Sequence, residues 1–181
     1  MLSEINYMKN KYPKIYAFID SQNLNLGTSK DIRNKNNKLI YNGWKLDFKK
    51  FRVYLNDKFR VSRAFIFIGY IKENKYLYRN LRKFGYELVF KATIKDGLGK
   101  TKGNVDAELV LHSAAVEFNN YDKAVIVSGD GDFRCLHEYL KQKKKLFRII
   151  IPNSKSASTL LQEFRDYETF LEFEKEKLKL K

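Results

Sequence analysis

At 181 residues, with 44% apolar side chains and 15% aromatics, the chain is the length of one ordinary domain with enough apolar matter for a real core; two prolines, nine glycines and no low-complexity tract leave no linker at which to divide it. Thirty-six Lys and Arg against twenty-one Asp and Glu give a formal charge of +15, which makes a polyphosphate, nucleic acid first, the expected partner through counterion release. The single cysteine excludes an internal disulfide, no apolar stretch is long enough to span a bilayer, and residues 1–14 lack the apolar core of a secretion signal, so a cytoplasmic protein with no membrane partner is expected.

The first apolar run, residues 15–19, reads as a buried strand that ends abruptly in the polar Asp20-Ser-Gln-Asn23. Residues 24–43 are polar and basic, with Gly27, Asn34-Lys-Asn-Asn37 and Asn42-Gly43, and read as a long loop or a pair of short turns. Apolar residues at helical spacing predict a helix over 44–59, with Trp44 in the core. A second buried strand, 63–69, is followed by a helix over 74–84 that Gly85 closes. A shorter strand, 86–91, leads into a glycine and lysine loop at 96–103 and an Ala- and Leu-rich helix at 105–118. Strand 123–128, helix 132–143, strand 147–151 and a last helix 156–173 complete the alternation, and residues 174–181 read as a charged extension that frays from it. This order predicts one three-layer α/β/α domain, residues 1–173, around a mainly parallel sheet of five or six strands.

Open parallel sheets place their active crevice at the carboxyl ends of the strands, so an acid directly after an apolar strand is a functional candidate. Two segments qualify: Phe18-Ile-Asp20-Ser-Gln-Asn23 and Ile126-Val-Ser128-Gly-Asp130-Gly-Asp132. The glycines of the second permit a tight turn that aims two carboxylates at one place. Asp106, in the first turn of the 105–118 helix, offers a third side. Singly, each acid has an ordinary explanation: Asp20 as a turn former, Asp106 as a carboxylate favoured by the helix dipole, Asp130 or Asp132 as a helix cap. Jointly they point to a site for a hard cation, which prefers oxygen ligands.

Through Phe18-Ile-Asp20-Ser-Gln-Asn23-Leu, Lys102-Gly-Asn-Val-Asp106 and Ser128-Gly-Asp130-Gly-Asp132-Phe133, in that order, the sequence resembles the NYN family of PIN-like nucleases, in its LabA-like branch, over roughly residues 14–165. The resemblance implies a parallel sheet between helices, a Mg2+ or Mn2+ site, and hydrolysis of phosphodiester bonds, usually of RNA. Carried onto this chain, it implies that Asp20, Asp106 and Asp130 bind the metal, with Asp132 adding a ligand or orienting water. The chain reads Lys-Gly-Asn-Val-Asp where the family commonly has Lys-Gly-Val-Asp, one residue fewer.

Asn23 is a further catalytic candidate, able to orient a carboxylate or contact substrate, while Ser128 is expected to shape the acidic loop by a hydrogen bond. A polyanion needs a basic rim, and topology puts Lys30, Arg33, Lys35 and Lys38 of the first loop, and Lys95, Lys100 and Lys102 of the third, in position to supply it. His112 and His137 fall in helices without partners that suggest zinc, and Cys135 reads as a packed thiol. Gly97-Leu-Gly99-Lys-Thr-Lys-Gly103 lacks the spacing of a phosphate loop, so ATP hydrolysis is not expected. A haloacid dehalogenase-like phosphatase would need a second Asp where this chain has Gln22. The competing reading is a catalytically silent RNA-binding or oligomeric adaptor, and either reading accommodates a homo-oligomer.

Overall fold

Ile15–Asp20 forms β1, buried at every position, as a strand covered on both faces must be. The computed structural model describes residues 12–91, 94–95, 101–102 and 105–181, with 94–95, 101–102 and 105 described by backbone alone. Asp20 ends β1 and begins the next element: its Oδ1 accepts from the backbone N–H groups of Gln22 and Asn23, each at 3.0 Å, and so caps α1 (Ser21–Ser29). The polar segment expected to be a loop is therefore a helix up to Ser29. Its inward stripe is only Leu24 and Thr28, too thin to show as periodicity. The rest of the expected loop contains a hairpin, β2 (Ile32–Arg33) and β3 (Leu39–Tyr41), whose turn is held by the Asn34 side chain accepting from Asn36 and Lys38.

α2 (Phe48–Phe59) starts four residues later than periodicity suggests because Asp47 caps it. Trp44 is buried in the core ahead of it. β4 (Val61–Gly69) leads to α3 (Lys75–Lys83), which Gly85 stops at φ +90° as expected. β5 (Glu87–Lys91) follows, then β6 (Ile94–Lys95) and β7 (Thr101–Lys102), an antiparallel pair; the remainder of the predicted 96–103 loop lies outside the described residues. α4 (Val105–Leu111) continues into a π-helical turn, His112–Val116. β8 (Lys123–Val127), a 3-10 turn at Gly131–Phe133, α5 (Arg134–Gln142) and β9 (Leu146–Ile151) come next.

The end of the chain departs from expectation. Residues 156–173 are not one helix: a 3-10 segment, Thr159–Tyr167, is broken at Phe164 (φ −108°, ψ 16°), and β10 (Glu168–Phe170) then pairs with β9 as a sixth strand. A second 3-10 turn, Leu171–Glu174, precedes α6 (Lys175–Leu178). The charged tail does not fray. Leu178 is 2% exposed in the core, its carbonyl accepts from Asp47 N–H at 2.9 Å, and the Lys50 ammonium donates to Lys179 O at 2.9 Å.

The main sheet runs β10-β9-β8-β1-β4-β5, with every neighbouring pair parallel. One face packs on α1, α2, α3 and α6 through Leu24, Phe51, Leu55, Leu81 and Leu178. The other packs on α4, α5 and the 3-10 segment through Leu109, Leu136, Leu140, Leu161 and Phe164. The result is a three-layer α/β/α fold whose strand carboxyl ends all lie on one edge.

Candidate functional site

Parallel pairing of β1 with β8, Ile19 opposite Val127, brings Asp20 and the loop after β8 together at that edge. Ser128 is the hinge between them. Its hydroxyl donates to Asp20 Oδ2 at 3.4 Å and accepts from Asp130 N–H at 3.2 Å. Asn23 ties the same two loops, its Oδ1 accepting from Gly129 N–H at 2.9 Å. Asp130 Oδ1 accepts from Asp132 N–H at 3.0 Å and starts the 3-10 turn.

The glycines of this loop are required by close neighbours rather than by left-handed backbone. A Cβ on Gly129 would lie 2.9 Å from Ile151 Cγ2, and one on Gly131 would lie 2.3 Å from Ser158 Oγ. The same reasoning applies to Gly27, where a Cβ would lie 2.7 Å from Pro152 Cβ, and whose carbonyl accepts from Asn153 Nδ2. Three strand ends, after β1, β8 and β9, are thereby clamped together.

Asp20, Asp106 and Asp130 line one cavity of about 550 Å³, with Asn23, Gln22, Lys30, Asp31, Asn153 and Ser156. Burial raises the pKa of Asp20 above the ordinary carboxylate value; the Asn23 backbone bond opposes this, and the charges of Asp106 and Asp130 add to it. Asp106 is raised by burial and by Asp130 and Asp132, against the opposing charge of Lys91. The extra residue before Asp106 has thus not carried it away from the other acids.

The remaining predicted residues are distributed unevenly. Lys30 reaches the cavity, but Asp132 is exposed beside it and acts on Asp106 through space. Arg33 is engaged within its hairpin, donating to Asn37 O at 2.9 Å, and Lys35 and Lys38 are exposed on the same hairpin, away from the cavity wall. Lys95 and Lys102 belong to β6 and β7 by backbone alone, and Lys100 lies outside the described residues. Cys135 is exposed rather than packed, because Leu136 and Leu140 take the inward face of α5. His137 is fully buried against Phe164 and pushed down to about 4 by burial, so it is neutral at pH 7. Tyr41 and Trp44 are both core residues.

Sequence reasoning missed Asn153, Ser156, Asp31 and Lys91. Asn153 was accessible to the strand-end rule, since it follows Ile149-Ile-Ile151 of β9 by two residues. Lys91 closes β5, and its Nζ is buried without a hydrogen-bond partner among the described residues.

Among the described residues, no three His, Cys, Asp or Glu side chains are gathered into a ready-made metal cage. The donors nevertheless fit a hard divalent cation: they are oxygen ligands, and such an ion would offset the burial, and the lesser mutual repulsion, that raise Asp20 and Asp106. No helix among the described residues is long and apolar enough to cross a membrane.

The fold and site define a three-layer α/β domain with an acidic pocket at the strand carboxyl ends, consistent with a PIN-like domain. The family model of the NYN domain matches residues 14–172, and the chain belongs to that family, whose members are generally nucleases of the PIN-like type that typically use divalent metals. Among solved structures, a protein of unknown function, VPA0982 from Vibrio parahaemolyticus RIMD 2210633, is similar in fold. Its TM-score is 0.69 at 20% identity, over 96% of this chain and 100% of that one. No curated protein matches the chain.

Proposed function

We propose that the protein is a divalent-metal-dependent ribonuclease that hydrolyses RNA phosphodiester bonds in the cytoplasm. The observation that carries the reading is the meeting of Asp20, Asp106 and Asp130, from three separate elements, at one cavity in a chain of the NYN family. A carboxylate cluster alone repels a phosphodiester, and Mg2+ or Mn2+ would supply charge neutralisation and Lewis acidity there. Asp20, Asp106 and Asp130 are the residues that would hold the ion.

The chain's own groups prepare the rest. Two backbone N–H groups and the Ser128 hydroxyl fix the Asp20 carboxylate before substrate arrives. Asn23 acts as a positioning residue by locking the Gly129 amide, so that Asp130 is presented at a constant distance from Asp20. Asp132, exposed and close enough to Asp106 to act on it through space, would add a ligand or orient the attacking water. Lys30 at the cavity wall and Lys91 beside Asp106 supply positive charge for the phosphate.

The test is cleavage of labelled single-stranded and structured RNA by purified protein in Mn2+ or Mg2+, with EDTA and Asp130→Asn controls. Metal-dependent cutting that falls by about a hundredfold or more in Asp130→Asn is expected. RNA bound but uncut in either metal would replace this reading with the adaptor.

A further inference from the structure

α3 reads Lys75-Tyr-Leu-Tyr-Arg79-Asn-Leu-Arg82-Lys83, four cations and no acid in nine residues. Some surface cations elsewhere meet acids: Lys58 pairs with Glu174, Arg63 with Glu87 and Glu117, and Arg134 with Glu138 and Glu163. Among the described residues, none of the α3 cations enters an ion pair with an acid. All four side chains are exposed. Such a helix lacks a counter-charge of its own and is complementary to a polyanion.

The cations surround a concavity of about 500 Å³ floored by aromatic rings. Tyr78 is the anchor: its hydroxyl donates to Gly69 O at 3.1 Å and accepts from Ile71 N–H at 2.8 Å, which fixes the turn after β4. Phe90 meets the Tyr78 ring edge-on at 4.8 Å, and Tyr70, 45% exposed, lies over Tyr78 with ring centres 5.9 Å apart. The Arg82 guanidinium sits 5.5 Å from the centre of Phe90. Rings held rigidly among cations that pair with no acid among the described residues supply the two components of a single-strand binding surface, a stacking platform and a backbone clamp. A solubilising helix needs the charge but not the ordered rings.

The surface lies toward the same carboxyl edge of the sheet as the acidic cavity, since Tyr70 follows β4 and Phe90 stands near the end of β5. β5 is the second strand from β1, roughly 10 Å away at the usual strand spacing. Successive residues of a strand face opposite sides, and Phe90 lies in the basic concavity while its neighbour Lys91 acts on Asp106.

We propose that the β4–α3–β5 corner binds single-stranded RNA flanking the bond to be cut, stacking a base on Tyr70 and holding phosphates with Lys75, Arg79 and Lys83. This rests on the ribonuclease reading for the identity of the polyanion, yet it is measured by binding alone. Affinity for a labelled single-stranded RNA 12-mer is read by fluorescence anisotropy in EDTA for the full chain, Tyr70→Ala, and Arg79→Gln combined with Lys83→Gln. Turnover of a dinucleotide in Mn2+, too short to reach the corner, is measured beside it.

Tyr70→Ala is expected to weaken 12-mer binding about tenfold. The double Gln variant, altered only at exposed helix positions, is expected to flatten the log–log salt dependence by about 0.7 per cation removed. Dinucleotide turnover stays as in the parent. Unchanged 12-mer affinity in the double variant overturns the proposal, as does a change of oligomeric state with RNA affinity intact, which would assign the corner to a second copy of the chain. A parent protein that binds RNA but cuts nothing defeats the ribonuclease reading and leaves this one standing.

Discussion

Asp20 performs two tasks with its two oxygens. Oδ1 caps α1, and Oδ2 takes the Ser128 hydroxyl at the cavity. The sequence posed these as alternatives, turn former or ligand, because a string of residues does not say which oxygen points where. Burial outweighs the bonds and raises its pKa, so its favourable contribution to folding is complete below the unfolded value near 3.8 and is lost as pH rises through the higher folded value. At pH 7 without metal the fold therefore carries an unfavourable buried charge. Asp20→Asn keeps an acceptor for both N–H groups and a donor for Ser128, which can accept. In EDTA at pH 7 it should raise the melting temperature by about 2–4 °C, on the order of 1 kcal/mol, with the gain shrinking as pH is lowered toward 3.8. Scanning fluorimetry across pH decides it, and a lowered midpoint at neutral pH would mean that the charged cap outweighs burial. Mn2+ should stabilise the parent more than this variant.

At the scale of elements, the legible parts were those whose signal is local. β1, β4, β8 and β9 are continuous apolar runs because both faces of each are covered, and the acids after β1 and β8 stood out against them. β10 was invisible, since three residues, Glu168-Thr-Phe170, become a strand only by pairing with the open edge of β9. The terminal segment was misread for a related reason: six charged residues among the last eight disguise a single apolar anchor, Leu178, which enters the core beside α2. Leu178→Ala should cost about 2–5 kcal/mol in urea unfolding, as for other fully buried leucines. A loss under about 0.5 kcal/mol, the range of neutral surface changes, would show that the tail adds nothing to the fold.

For the whole molecule, the formal charge of +15 coexists with a pocket lined by Asp20, Asp31, Asp106 and Asp130. Net charge attracts a polyanion to the surface, whereas the acids decide what happens at one point on it. If RNA binding engages about four phosphates, log affinity for a single strand should fall with log salt at a slope of about −3, measured in EDTA so that binding is read without cutting. A slope near zero would remove the charge from any account of the partner.

The sequence by itself determined β1, β4, β5, β8 and β9, the helices with broad apolar faces, and the acids that follow the central strands, because each of these is written in the burial pattern of neighbouring residues. Only the tertiary structure decided that Asp20 meets Ser128 across 108 positions of chain, that Asn153 and Ser156 close the same cavity, that Arg33, Lys35 and Lys38 stand off from its wall, and that Phe90 meets the basic helix. Those facts depend on parallel register and on close approach at Gly27, Gly129 and Gly131, where contact between distant segments, rather than local propensity, sets the geometry.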